Sequence, residues 1–260
     1  MYLLLSGEGK SDMGVCYPAQ EQCVGDQFKA GAMAVIVDQL VELSQGFEFS
    51  HLENERVGFV SENCLANNKQ DSIKKTKSAK IRGKKRPKET LYYFKNARVL
   101  ADLAKKKALE INDTVVAVLF RDSDGTASAG RGDWETKRES MILGFAAEEF
   151  ELGVPMMPKP KSEAWLLCAL KGNPYQHCIQ LEDVTGNDDG KKPLKEQLTE
   201  VLNGYDSVID INEMLKSKQI DVEQINMPSF AVFKKELDRV VKNAIESERI
   251  KLKQGFKAEI

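Results

Sequence analysis

Three short segments of the chain place acids directly after an apolar run, a pattern typical of metal-dependent phosphate chemistry. Glu8 and Asp12 follow "LLLS", Asp122 and Asp124 follow "VAVLF", and Glu163 follows "MPKPKS". Carboxylate oxygens are ligands that Mg²⁺ prefers, and Mg²⁺ keeps its other coordination positions for water and phosphate. We therefore take these five acids as candidate ligands of Mg²⁺ or Mn²⁺.

The spacing of the acids favours a shared site. Asp122 and Asp124 are two residues apart, so an extended backbone directs both carboxylates to one side. An acid from a neighbouring strand, such as Glu8, would complete one or two metal sites. Two ions about 4 Å apart can hold the attacking and leaving oxygens of a phosphoryl displacement. The alternatives are ordinary structural roles: turn acids, a helix N-cap for Asp12, and a helix-dipole charge for Glu163.

Basic residues in two places could meet a phosphate. Lys159 and Lys161 precede Glu163 and could neutralise charge that develops on the phosphorus, although solvated lysines fit the pattern equally well. Between Lys69 and Lys88, ten of twenty residues are Lys or Arg against one acid, so this segment carries +9 and the rest of the chain −11. Such a segment is expected to bind phosphate backbone; a solvated loop or an acidic partner are the alternatives. The candidate nucleic-acid-binding residues are Lys74, Lys75, Lys77, Lys80, Arg82, Lys84, Lys85, Arg86 and Arg121.

The triplet Gly9-Lys10-Ser11 offers a competing interpretation, because it resembles the end of a Walker A nucleotide loop. That loop requires G-x-x-x-x-G-K-[ST], and this chain has Leu4 where the first glycine belongs. Glu8 would also repel a β-phosphate. A metal site is therefore favoured over a nucleotide loop, although "VAVLFRD" imitates the strand that accompanies such a loop.

The elements that must position these acids alternate between strand and helix patterns. Apolar, β-branched runs predict strands at 2–6, 57–60 and 114–120, and a short strand within "GVPMMPKP". Helical patterns cover 26–44, 89–110, 133–152, 163–170 and 229–251. This alternation predicts an α/β fold with a largely parallel sheet, in which ligands bind outside the carboxyl ends of the strands.

The three acid-bearing segments resemble the Toprim catalytic domain of topoisomerases, bacterial primases, overcoming-lysogenization-defect nucleases and stand-alone Toprim-like proteins of bacterial defence loci. "LLLSGEGKSD" supplies an acid after the first strand, and "VLFRDSDG" supplies the D-x-D after a later strand. The Glu8-x-x-x-Asp12 spacing is closest to the nuclease branch, and "KPKSEAWLL" resembles an E-x-W-L-L segment of the stand-alone proteins. The resemblance spans residues 1–170 but depends on these three segments.

The resemblance implies a Toprim-like Rossmannoid domain at 1–170 with a basic insert at 67–88, followed by a helical extension at 171–260 packed on it. It also implies that Glu8 is a general acid/base as well as a ligand, in a Mg²⁺-dependent nuclease. An antiviral defence role beside a separate ATPase follows from the same resemblance. The alternatives are a Toprim-like nucleic-acid-binding or regulatory subunit that does not cleave, and a nucleotidyl transferase or small-nucleotide phosphatase.

Composition constrains the setting of the protein. The hydrophobic content of 42% supports a folded core, while no apolar run reaches the roughly 20 residues that span a bilayer. No signal peptide is recognisable, and the five cysteines form no C-x-x-C pair. These observations predict a cytoplasmic protein with reduced thiols and no membrane partner.

Overall fold

Apolar segments form the central sheet of the computed structural model, which describes residues 1–73, 88–123, 134–184, 186, 192–202 and 208–258. The strands are β1 (Tyr2–Gly7), β2 (Gly14–Cys16), β3 (Gln22–Val24), β4 (Phe28–Ala30), β5 (Val57–Ser61), β6 (Val115–Phe120) and β7 (Gly153–Met156). Every residue of β1, β6 and β7 is buried, so these strands are covered on both faces. Such double coverage explains their continuous apolar sequences.

The main sheet has the strand order β3-β5-β1-β6-β7. β5, β1, β6 and β7 are parallel, and the short β3 is antiparallel to β5 at one edge. In register, Leu5 of β1 lies beside Phe59 on one side and Val118 on the other. The carboxyl ends of four parallel strands therefore meet at one edge of the sheet, which is where the acid-bearing loops begin.

Helices cover both faces of this sheet. They are α1 (Ala32–Gln45), α2 (Glu62–Ile73), α3 (Lys88–Ile111), α4 (Trp134–Ala146), α5 (Ser162–Leu170), α6 (Leu194–Val201), α7 (Val208–Lys216) and α8 (Pro228–Ala258). One face packs against α1, α5 and α8, and the other against α2, α3 and α4. The predicted α/β fold with a mostly parallel sheet and a helical C-terminal region is confirmed.

The C-terminal helices share a core with the sheet. Trp165 of α5 is fully buried, with its ring 4.9 Å from that of Phe230 and 5.8 Å from that of Phe233. Its indole N–H donates to Ser229 Oγ at 2.9 Å. Residues of β1, β6, α1 and α8 belong to the same apolar cluster. The expected boundary at residue 170 is therefore not a boundary between separate cores.

Two local predictions differ from the structure. The helix predicted at 26–44 begins only at Ala32, because Phe28–Ala30 is a strand that pairs with Gly14–Cys16. Part of the basic insert predicted as a loop at 67–88 is helical, since α2 continues to Ile73. Residues 74–87, with eight of the candidate nucleic-acid-binding side chains, lie outside the described residues.

The prediction of reduced thiols is wrong for four of the five cysteines. Cys16 is bonded to Cys23, and Cys168 to Cys178, while Cys64 is buried and free. The sequence pattern misses these pairs because β2 and β3, and likewise α5 and the Cys178–Asp183 turn, come together only in the fold.

Among the helices of the described residues, none is long and apolar enough to cross a membrane.

Candidate metal and phosphate site

Glu8 and Asp122 are joined directly at the carboxyl ends of neighbouring strands. Glu8 follows β1 and Asp122 follows β6 by one intervening residue, and Glu8 Oε1 accepts the backbone N–H of Asp122 at 2.6 Å. Asp122 Oδ1 in turn accepts the backbone N–H of Ser162, the first residue of α5, at 3.1 Å. Acids from two separated segments therefore lie within one hydrogen-bonded chain, with the negative Asp122 at a helix N-terminus.

Ser162 also links Asp12 and Glu163 to this chain. Its side chain is 1% exposed, and its hydroxyl donates to Asp12 Oδ1. The same oxygen lies 3.4 Å from Glu163 Oε2. Three of the five acids predicted as metal ligands thus contact one serine, and Glu8 is linked to it through Asp122, whereas Asp124 lies outside the described residues.

The glycine-rich turn after β1 serves to return Asp12 toward the sheet. Gly9–Met13 forms one π-helical turn, in which Gly9 has a φ of +77°. A Cβ at Gly9 would lie 2.2 Å from Asp12 Oδ2, so glycine leaves the Asp12 carboxylate in its position. After the turn the chain enters β2, and the first α-helix starts only at Ala32. A Walker A loop would lead straight into a helix, so the nucleotide-loop interpretation does not fit.

The lysine candidates lie in the loop between β7 and α5. Lys159 and Lys161 are both half-buried, and Lys161 is the residue before the helix. The adjacent Pro160 carbonyl accepts both the backbone N–H and the hydroxyl of Ser123 at 3.1 Å. This pairing fastens the loop that carries the lysines to the loop that carries Asp122.

Glu62 is a further acid of the site that the sequence analysis did not single out. Gly7 pairs with Ser61 in the parallel register of β1 and β5, so Glu8 and Glu62 directly follow paired residues. The available signal was an acid after the apolar run "VGFVS", the same pattern that marked Glu8 and Asp122. The carboxyl ends of three adjacent strands therefore each lead into an acid.

Burial sets the charge state of Glu8. Desolvation raises the pKa of its carboxyl above the usual range, opposed by the Arg121 guanidinium and by the hydrogen bond from Asp122. The negative charges of Glu62 and Asp12 raise the pKa further. A bound cation would favour the charged form of this acid cluster, as nearby positive charge does in general.

Arg121, a candidate phosphate contact, is fully buried. Its side chain is 0% exposed, and Nη1 donates to the Phe120 carbonyl at 2.7 Å. This burial does not fit a contact with a nucleic-acid strand that lies on the protein surface. It fits a contact with a group that enters the site.

Neighbouring side chains fix the loop that carries Asp122. The Tyr93 hydroxyl donates to the Asp122 carbonyl at 3.2 Å, and Lys137 Nζ donates to the Ser123 carbonyl. Trp134 donates its indole N–H to the Met157 carbonyl at 2.8 Å. Trp165 and Tyr93 are buried, so both rings belong to the core.

The donor set matches Mg²⁺ or Mn²⁺ in its chemistry, because it consists of carboxylate oxygens and hydroxyls. Within the ranges that the structure describes, no group of three or more His, Cys, Asp or Glu side chains is already arranged around a metal position. Asp124, the second acid of the D-x-D, is not among them. The described acids therefore match a cation in donor type, while their arrangement does not by itself form a metal site.

Comparison with protein-family models, with curated proteins and with solved structures finds no match for this chain.

Proposed function

We propose that this chain is a Mg²⁺- or Mn²⁺-dependent nuclease that hydrolyses phosphodiester bonds of nucleic acid. The observation that carries the proposal is the hydrogen-bonded chain from Glu8 through Asp122 and Ser162 to Asp12. It brings together acids from two separated segments, and a serine from a third, at the carboxyl edge of a parallel sheet, where α/β proteins bind their ligands.

Each residue has a separate task in this proposal. Glu8, Asp12 and Asp122 would hold the cation, with Asp124 and Glu163 as further ligands. The cation would supply positive charge against the reacting phosphate. Ser162 fixes the positions of the acids through its backbone N–H and hydroxyl. Glu8 is also the candidate general acid/base, as the Toprim resemblance implies.

The substrate and partners follow from charge and from the Toprim resemblance. The +9 segment around residues 69–88 would bind the phosphate backbone of DNA or RNA without sequence preference. The resemblance adds an antiviral defence role and a separate ATPase as partner. A cytoplasmic location is a prediction from the sequence composition and not from the resemblance. Disulfides are rare in the cytosol, so the oxidation state of the cysteines bears directly on that location.

The test is a cleavage assay with purified chain. Plasmid, linear duplex, single-stranded DNA and tRNA are incubated with Mg²⁺ or Mn²⁺, with and without ATPase chains encoded beside it. We expect cleavage of at least one substrate, abolished by EDTA and reduced at least a hundredfold by Glu8→Gln or Asp122→Asn, because each removes a charged ligand.

Glu53→Gln is the matched control, because this exposed acid precedes β5 at the opposite edge of the sheet. It should cleave like the wild type. Cleavage that survives both Glu8→Gln and Asp122→Asn contradicts the site. Binding of nucleic acid without cleavage of any substrate contradicts the nuclease and favours a binding subunit.

A further inference from the structure

Three residues that directly follow neighbouring strands define a row at the site. Ser6 of β1 lies between Val60 of β5 and Leu119 of β6. Two residues further along the chain from each of these come Glu8, Glu62 and Arg121, each the first residue beyond its strand. Because β1 lies between β5 and β6, Glu8 is the middle member of the row. Arg121 lowers the pKa of Glu8 and Glu62 raises it, which agrees with the position of Glu8 between them.

The guanidinium of Arg121 has donors without acceptors. Nη1 donates to the Phe120 carbonyl, whereas Nε and Nη2 are buried and find no acceptor among the described residues. A buried charged donor without an acceptor carries a free-energy penalty, and such groups mark places where a ligand binds. The planar guanidinium fork matches two oxygens of a phosphate group.

Tyr92 of α3 contacts both ends of the row. Its ring centroid lies 5.8 Å from the Arg121 guanidinium carbon, and its hydroxyl donates to Glu62 Oε1. Glu62 and Arg121 thus both contact Tyr92, so Glu62 is an acid that could pair with Arg121. The hydrogen bond from the Tyr92 hydroxyl holds the Glu62 carboxylate in its position.

We propose that Arg121 receives one phosphate group of the substrate inside the site, and that Tyr92 keeps Arg121 available by holding Glu62. The inference rests on the proposed function for the identity of the substrate, a nucleic acid. The phosphate contact itself needs neither a cation nor cleavage. The inference assigns Tyr92 and Glu62 as positioning residues. It also distinguishes Arg121 from the residues of the basic segment, whose contacts would be non-specific.

The first test measures binding in EDTA, where no metal-dependent cleavage occurs. Fluorescence anisotropy of short labelled single strands of DNA and RNA gives the Kd over a series of salt concentrations, with inorganic phosphate as a competitor. Arg121→Gln should weaken binding about tenfold or more and reduce the slope of log K against log salt by about 0.7, the value for one lost phosphate contact on a single strand. Arg121→Lys should keep the slope and lose affinity, because lysine retains the charge without the fork.

The second test does not remove the buried arginine, so it holds even if Arg121→Gln fails to fold. Tyr92→Phe keeps the ring over the guanidinium but releases Glu62, which can then pair with Arg121. We expect weaker binding and a lower salt slope in Tyr92→Phe. The double variant Tyr92→Phe/Glu62→Gln should recover the affinity and the salt slope, because the side chain at position 62 then has no charge that could pair with Arg121.

Tyr2→Phe is the matched control, since its buried hydroxyl at the opposite end of β1 has no hydrogen-bond partner among the described residues. It should bind like the wild type. The inference is overturned if Tyr92→Phe binds like Tyr2→Phe, if the double variant does not recover, or if a folded Arg121→Gln keeps the wild-type slope.

The two proposals fail separately. A chain that cleaves nucleic acid but whose Arg121→Gln variant keeps the wild-type affinity and slope retains the proposed function and loses this inference. A chain that shows the Arg121 effect in EDTA but cleaves no substrate with Mg²⁺ or Mn²⁺ retains this inference and loses the nuclease.

Discussion

At the residue scale, Ser162 determines whether the acids form one site. Its backbone N–H and its hydroxyl reach acids from two different segments, Asp122 and Asp12. Residues that orient metal ligands in this way commonly change metal affinity or activity by 10–100-fold when they are replaced. The serine is therefore a better probe of the site than any single acid, because replacing it removes none of the candidate ligands from the chain.

We predict that Ser162→Ala lowers Mn²⁺ affinity and the cleavage rate by about 10–100-fold while the chain stays folded. The backbone bond to Asp122 remains, but the hydroxyl bond to Asp12 is lost. Calorimetric Mn²⁺ titration and single-turnover cleavage measure the effect. Ser140→Ala is the control, because its buried hydroxyl donates within α4 to the Thr136 carbonyl. Equal effects of the two substitutions would contradict the role of Ser162.

A second prediction at the residue scale concerns His51, which is buried away from the site. Burial, aided by the charges of the N-terminus and Arg56, lowers the pKa of His51 to about 4. The unfolded chain binds this proton below a pH of about 6.5, whereas the folded chain does not bind it until about pH 4. The free energy of unfolding should therefore fall as the pH drops from 6.5 to 4, by about 3 kcal/mol from this histidine.

Urea unfolding at a series of pH values tests the prediction. In His51→Asn, the loss of stability between pH 6.5 and pH 4 should be smaller than in the wild type by this amount. His177→Asn is the matched control, because His177 is exposed. A wild-type profile that His51→Asn leaves unchanged would show that other groups cause the slope.

Residue patterns in the sequence predicted that several of these acids lie near one another. An acid after an apolar run identified Glu8, Asp12 and Asp122, and the structure places them together. Glu62 also follows an apolar run, that of β5. This acid lies near Glu8 only because β5 is the neighbour of β1 in the sheet, and no local sequence pattern reveals that pairing. The pairing of Tyr92 with Glu62 and Arg121 likewise joins segments that are distant in sequence.

At the element scale, the turn Gly9–Met13 places Asp12 relative to the sheet. We predict that Gly9→Ala weakens Mn²⁺ binding at least tenfold, because the new Cβ would displace the Asp12 carboxylate. The positive φ alone should reduce stability by about 1–2 kcal/mol. Manganese titration and thermal unfolding give the two effects separately.

Gly46→Ala is the control for this substitution. Gly46 also has a positive φ, +75°, but a Cβ there meets no atom within 4 Å. It should lose similar stability and keep full Mn²⁺ affinity. If both variants bind Mn²⁺ like the wild type, the turn does not position a ligand.

The disulfides give a further prediction for the elements they join. In the denatured, unreduced protein, iodoacetamide should label only Cys64, and after reduction all five cysteines. Each bridge closes a short loop, so its removal should lower the free energy of unfolding by about 2–3 kcal/mol. Mass spectrometry counts the labels, and urea unfolding with and without reductant measures the stability. Labelling of all five cysteines in protein purified without reductant would contradict both bridges.

The long elements were predictable and the short ones were not. β1, β5, β6 and the long helices α3 and α8 have runs or stripes that are long enough to show a period. The three-residue strands β2, β3 and β4 are too short for alternation to be recognised. Phe28–Ala30 was therefore absorbed into a predicted helix, although Gly31 interrupts the pattern before α1.

At the scale of the whole molecule, the core continues across the predicted boundary at residue 170. We predict that residues 1–170 alone do not fold, and that Phe233→Ala lowers the free energy of unfolding by about 3–5 kcal/mol. Phe47→Ala, at a side chain that is 59% exposed, should change it by at most about 0.5 kcal/mol. Urea unfolding of the full chain measures both substitutions. A stable, cooperatively unfolding 1–170 fragment would show that the C-terminal helices are dispensable.

The central position of β1 has a consequence for how the chain reaches its fold. β1 is the middle strand of the sheet, and Leu5 must wait for both Phe59 and Val118. Both sides of β1 are therefore paired only after a segment more than a hundred residues further along the chain has been synthesised. Pairing between such distant segments slows folding, and the unpaired apolar strand is exposed to aggregation meanwhile. A chaperone that covers the unpaired β1 would therefore raise the yield of folded protein.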